Sequence, residues 1–438
     1  MNLRYLYISF IAVVLSFGAC KKDKKNNIVI PGTADFSRYI AVGNSTSAGY
    51  ADGGLYLAGQ QVAFPNLVAG QMKLAGGGNF SSPLFSADQA NGSGYLKLTG
   101  YNTDGTPQIV PVTDKLAVRD VIQIPLIGTV TLYTKYSGDL NNYAVPGINL
   151  RDVTNIAYGN YNGYYERMLP GNSPTNTTPY LDFVTAKPFT FFTCWLGDND
   201  VLGYATSDGT SALYPLTDKA TFTSTYNNVI TALTKSGAKG VVVTIPDVTV
   251  IPFFHYITVT GLIAAAQKIN IAFTTLYIQA LDANGNYVTR AATNADLIML
   301  TFNTSQLGAT VNGLPLYGLS QANPLLSKEV LDVNEAAKVK DYVNSYNTSI
   351  KAAAAANNLP VFDTYALLNQ LVGGITQNGV TINTNFISGG FFSLDGTHFT
   401  PRGNAYVADQ LINVINTKYG SNLPTLDIST YNAVKVQP

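Results

Sequence analysis

Four short apolar runs, separated by stretches with helical spacing, constrain this chain more than any other feature. They are Tyr39-Ile40-Ala41-Val42, Pro188 to Trp195, Gly240-Val241-Val242-Val243-Thr244-Ile245 and Leu359-Pro360-Val361-Phe362-Asp363. Each is too short for an ordinary helix and too continuously apolar for a strand with one wet face. The first two read as buried strands and the other two as strands. Between and after them, helical patterns cover Ala63 to Leu74, Thr221 to Ser236, Asn334 to Asn357, Tyr365 to Leu371 and Asn404 to Tyr419. Pro65 stands near the start of the first, where helices accept proline. Strand and helix in alternation predict an α/β fold, a mostly parallel sheet covered by helices.

Two stretches interrupt the alternation. Residues from about Gly76 to Asn142 carry Gly and Asn turns and the alternating run Thr129-Val130-Thr131-Leu132-Tyr133, which reads as a strand-and-loop insertion. Pro246 to about Ser327 is a second variable region of short apolar runs. Of 438 residues 46% are hydrophobic and 12% charged, enough apolar material for a large core; length alone would allow two or three domains, and one elaborated α/β domain fits as well. The expectation is a single domain over 35–438 with insertions near 76–142 and 246–327.

Charge and cysteine content narrow the function. Lys plus Arg equals Asp plus Glu, 26 each, with no basic stripe, so nucleic acid is not an expected partner. Two cysteines and two histidines without ligand spacing make no zinc site.

The N-terminus reads as an address. Arg4, the apolar run Tyr5 to Phe17, and small residues before a cut site make a secretory signal over 1–19. Gly18-Ala19 before Cys20 resembles a bacterial lipobox. That resemblance implies cleavage before Cys20, acylation of its thiol, and a cell-envelope protein held by a lipid anchor. The alternative is an ordinary cleaved signal with a coincidental cysteine. Residues 20–34 then form a tether, with Lys21 to Asn27 too hydrophilic to pack. Acylation of Cys20 leaves Cys194 as a lone thiol in Phe191-Phe192-Thr193-Cys194-Trp195-Leu196, where burial makes it inert.

Chemistry is sought through the histidines. His255 lies in an aromatic cluster, Pro252 to Tyr256, without an adjacent carboxylate, and reads as packing. His398 follows Asp395 by three residues across Gly396. On a loop that spacing lets Asp395 hold one imidazole nitrogen while the other accepts a proton. The alternative is an Asp at a helix start beside an exposed histidine. A serine nucleophile needs such a base, an orienting group and donors for the developing oxyanion. Ser45, in Gly43-Asn44-Ser45-Thr46, follows the first strand, where open α/β sheets place their sites. By itself it is also an ordinary helix-capping serine. Asn199, in Gly197-Asp198-Asn199-Asp200, follows the second strand and can donate from its amide. Alone it is an Asn/Asp turn. Gly147, in Val145-Pro146-Gly147-Ile148-Asn149, offers an unobstructed N–H.

Taken in order, these four blocks resemble the SGNH hydrolases, also called GDSL esterases and lipases. The resemblance runs from about Tyr39 to Tyr419. It implies that Ser45 is the nucleophile, His398 the base and Asp395 its orienting carboxylate. It also implies an oxyanion hole made by the backbone N–H groups of Ser45 and Gly147 and the side chain of Asn199. No metal or cofactor takes part in that scheme. Asn44 and Thr46 stand where the family more often has Asp and Leu, and neither performs the chemistry. The interval from Ser45 to Gly147 is long for the family; either the first insertion fills it or another glycine serves. The expected activity is hydrolysis of a carboxylic ester through an acyl-enzyme, on a small molecule or on acyl groups of a glycan. The rival from another class is a non-catalytic surface lipoprotein that binds glycan on a retained hydrolase fold. Acyl transfer would use the same residues as hydrolysis.

Overall fold

The computed structural model describes residues 28–125, 127–207, 214–282 and 284–437. The signal segment and Cys20 lie outside the described residues. The four apolar runs form strands β1 (Tyr39–Gly43), β2 (Phe191–Trp195), β3 (Lys239–Val243) and β4 (Val361–Phe362). They pair in parallel in that order, with Tyr39 opposite Phe191, Phe191 opposite Lys239 and Val361 opposite Val242. Every residue of β1 and β2 is buried, as continuous apolar runs in a parallel sheet require.

A fifth, irregular edge follows from the backbone bonding of residues 141–145. The Ala41 N–H donates to Asn141 O at 2.8 Å, Tyr143 N–H to Ala41 O at 2.8 Å and Val145 N–H to Gly43 O at 2.9 Å. This segment therefore flanks β1 on the side away from β2. The spatial order becomes 141–145, β1, β2, β3, β4. The order in which the chain adds strands reverses between β1 and β2, which is the switch point where doubly wound sheets open a crevice.

The helices follow from that order. They are α1 (Phe64–Leu74), α2 (Asn199–Ala205), α3 (Lys219–Thr234), α4 (Val333–Ala356), α5 (Thr364–Val372) and α6 (Pro401–Tyr419). Right-handed crossovers put connections running in opposite directions on opposite faces of a sheet. Thus α1 packs with α6, and α3 with α4. The start of α4 is set by a reciprocal cap: Asp332 accepts from Asn334 and Glu335 N–H, and Glu335 returns to Asp332 N–H. Helix α6 begins at Pro401, three residues before Asn404, because Thr400 caps it through Gly403 N–H and proline suits the first helical position.

The stretch after α1 forms two antiparallel hairpins, Tyr95–Tyr101 with Pro107–Val112 and Val118–Ile124 with Gly128–Tyr133. The stretch after β3 holds the helix Val259–Ile269, the hairpin Tyr277–Leu281 with Tyr287–Ala291, and a small core of its own around Leu262, Ile278, Phe302 and Leu325. No helix among the described residues is long and apolar enough to cross a membrane.

Candidate active site

Ser45 opens a one-turn helix, Ser45–Ala48, two residues beyond the last residue of β1. Asn44 caps that turn by accepting from Thr46 N–H at 3.0 Å. As the first residue of the turn, Ser45 keeps a backbone N–H that the turn itself cannot satisfy. Its hydroxyl lies 2.8 Å from His398 Nε2. The imidazole is held from behind, with His398 Nδ1 2.9 Å from Asp395 Oδ2. Residues 353 positions apart in the chain thus form one continuous chain of hydrogen bonds.

Asp395 is the most heavily bonded group of the site. Its Oδ1 accepts from Thr397 N–H at 2.9 Å, His398 N–H at 2.8 Å and the Ser393 hydroxyl at 3.2 Å. Its Oδ2 accepts from Gly53 N–H at 2.9 Å as well as from the imidazole. Burial pushes its pKa up, but the neighbouring His398 charge and these donors outweigh burial and hold the carboxyl far below the usual range. It is a fixed anion at any physiological pH.

The Gly53 donor comes from a turn that reading by motif passes over, Ala51-Asp52-Gly53-Gly54. Asp52 adopts a left-handed φ of 53°, which turns Gly53 N–H towards Asp395. It is fixed by Leu394 N–H at 2.9 Å, the Tyr56 hydroxyl at 2.7 Å and its own N–H donating to Ser393 Oγ at 2.9 Å. Burial pushes the Asp52 carboxyl up to about 6. The Asp-Gly-Gly sequence is a turn signal, but nothing local says what the turn will face. Tyr50 adds an aromatic wall, its ring 4.7 Å from the imidazole and its hydroxyl on Gly53 O at 2.7 Å. From the other insertion, Phe253 N–H donates to Gly396 O at 3.1 Å and pins the Asp395–His398 loop. His255 does not reach the site; its Nε2 lies 2.8 Å from Thr249 O.

Asn199 begins α2 at the carboxyl end of β2 and lines the same cavity as Ser45 and His398. One Nδ2 proton goes to Ile148 O at 2.9 Å, which leaves the second proton for another acceptor. Gly147 precedes Ile148 on the loop leaving the 141–145 edge, exposed and with φ of 81°. The structure therefore joins the Gly147 loop to Asn199 through Ile148. The first-block residue Asn44 has a role that its sequence position hides. Its Nδ2 donates to Asp198 Oδ2 at 2.8 Å, and Trp195 Nε1 donates to Asp198 Oδ1 at 3.2 Å. Burial pushes the Asp198 carboxyl up to about 7. Cys194 lies on the buried strand β2, where burial pushes its thiol up to about 12 and makes it a poor nucleophile. Among the described residues no group of three His, Cys, Asp or Glu side chains could hold a metal ion.

A serine, histidine and aspartate in series at the switch point of a parallel sheet can activate a serine hydroxyl for attack on an acyl carbon. A lipase/acylhydrolase from Enterococcus faecalis, known from its crystal structure, aligns with 89% of this chain and 100% of its own at 12% identity, with a TM-score of 0.34. No curated protein matches the chain. Residues 39–411 match the model of the family described as GDSL-like Lipase/Acylhydrolase. A match that runs from β1 into the last helix shows that the chain belongs to this GDSL-like lipase/acylhydrolase family, whose chemistry is the hydrolysis of esters.

Proposed function

We propose that the protein is a serine esterase that cleaves carboxylic esters through an acyl-enzyme, and that it acts on acyl groups carried by carbohydrate. The observation that carries the first part is the unbroken series Ser45 Oγ, His398 Nε2, His398 Nδ1, Asp395 Oδ2, with contacts of 2.8 and 2.9 Å. Ser45 Oγ attacks the acyl carbon and its proton passes to His398 Nε2. The oxyanion meets the N–H groups of Ser45 and Gly147 and the second Asn199 Nδ2 proton. Collapse expels the alcohol, which takes the proton from Nε2. Water then repeats the sequence and releases the acid, restoring Ser45. Throughout, Asp395 remains an anion and keeps Nδ1 protonated, so that Nε2 is the free base.

The carbohydrate part is supported by tyrosine rings beside the imidazole. Tyr50 lies 4.7 Å from His398, Tyr164 follows at 6.4 Å from Tyr50, and both are partly exposed. Such rings suit the apolar faces of sugars. Location in the envelope through a lipid on Cys20 is supported by the sequence around that residue.

The test is hydrolysis of p-nitrophenyl acetate and butyrate by a soluble form beginning after Cys20, with Ser45→Ala beside it. Loss of turnover in the variant is expected. Equal rates in both proteins, or none in either, would sink the reading and favour a glycan-binding lipoprotein. Products formed with an added acceptor alcohol separate hydrolysis from acyl transfer.

A further inference from the structure

The space in contact with Ser45, Asn199 and His398 is small. It amounts to about 30 Å³. A cavity needs roughly 10–15 Å³ to hold one water, so a free space of this order suits a group as small as an acetyl. The apolar side of the wall is not free to withdraw. Val248, Ile251, Leu368, Phe392 and Phe399 line the space and are 3%, 3%, 2%, 0% and 5% exposed. All five belong to the main core. Interiors of this kind are close-packed, so enlarging the space on that side requires several core side chains to move together. Asp198 also lines the space, held by Asn44 and Trp195. Leu202, on α2, also lines the space and is partly exposed.

We propose that this cavity is the acyl subsite, and that it accepts an acetyl group and excludes acyl chains of four carbons and more. The proposal rests on the serine-esterase reading above. It makes the natural substrate an acetyl ester, whose variable alcohol part lies outside the cavity.

The experiment is kcat/KM for p-nitrophenyl acetate, butyrate, hexanoate and octanoate, on the soluble protein, on Ile251→Ala and on Leu202→Ala. Discrimination over one methylene in an apolar pocket reaches about 10- to 200-fold, so butyrate is expected about 100-fold or more below acetate. Either truncation opens room for added carbons and raises the butyrate-to-acetate ratio by about tenfold or more. Leu202→Ala carries the test if Ile251→Ala fails to fold, because Leu202 is partly exposed and outside the fully buried core. Wild-type rates on butyrate or octanoate within about threefold of acetate overturn the subsite, as does a ratio that neither truncation moves. Hydrolysis of none of the four esters, or hydrolysis that survives Ser45→Ala, overturns the serine-esterase reading itself. A flat chain-length profile that vanishes in Ser45→Ala overturns the acetyl subsite alone.

Discussion

Replacing Asp395 by asparagine changes one oxygen into an NH₂ group and leaves the volume nearly unchanged. The structure says which oxygen is lost. If the NH₂ takes the Oδ1 place, it faces two backbone N–H groups, of Thr397 and His398, and neither can become an acceptor. If it takes the Oδ2 place, it faces Gly53 N–H and the imidazole. The imidazole can adapt by moving its proton from Nδ1 to Nε2. The second placement therefore wins, since it leaves one donor–donor conflict instead of two. Its consequence is that Nε2 carries a proton and cannot accept one from Ser45. The expected loss in kcat is about 10⁴-fold, the size associated with the wrong tautomer in a triad of this kind. Stability should fall by about 1–3 kcal/mol, for the lost charge-assisted bonds and the unpaired Gly53 N–H. The native carboxyl is held below its ordinary pKa, so its stabilisation is present above about pH 4 and lost as the solution is acidified below that. Asp395→Asn should lack that acid-sensitive part. The assay is steady-state kinetics on p-nitrophenyl acetate with thermal melts at pH 7 and pH 3. A folded variant that keeps a tenth or more of native kcat would refute the tautomer argument.

Asn199→Ala should lower kcat by about 100- to 1,000-fold with little change in KM, because the second Nδ2 proton serves the transition state; a KM effect alone would remove Asn199 from the oxyanion hole. Asn44→Asp brings a second carboxyl within 2.8 Å of Asp198 Oδ2, and Asp198→Asn turns an NH₂ towards a donor, of Asn44 or Trp195. Each should cost about 1–3 kcal/mol, whereas the double exchange restores one donor and one acceptor, and a double-mutant cycle should return a coupling of at least about 1 kcal/mol. Burial pushes Asp200 up to about 7, against the Thr217 hydroxyl and Leu150 N–H that bond it. A raised carboxyl contributes stability that is full below about pH 4 and lost as pH rises through 7. Melting temperature should therefore fall across that window, and Asp200→Asn should flatten part of the fall; parallel curves for the two proteins would remove Asp200 as a source.

Much of the scaffold was legible because a strand buried on both faces must be apolar along its whole length. The runs at Tyr39, Phe191, Gly240 and Val361 met that condition, and their alternation with helices led to the parallel sheet. Residues 141–145 did not, and the stretch up to Asn142 reads as insertion. Asn141 and Asn142 are polar yet buried, because their side chains donate to Tyr39 O and Ser47 O, at 2.8 and 2.9 Å. No local pattern separates such asparagines from loop asparagines.

The candidate site divides in the same way. Ser45, Asn199, Asp395 and His398 could be singled out from the chain alone, because each is a reactive or donating group at a strand end or in a turn of short-range design. Asp395 and His398 are three residues apart, and that contact is nearly local. What the chain alone left open was whether His398 meets Ser45, which donors fix Asp395, and how much room lies beside Ser45. Those are decided by the reversal of strand order between β1 and β2, by the Asp52-Gly53 turn brought against Asp395 from 342 positions away, and by core side chains from β3 onwards that line the cavity. Contacts across such separations depend on how whole layers pack, and a hydrogen-bond partner or a cavity wall has no signature in the residues next to it.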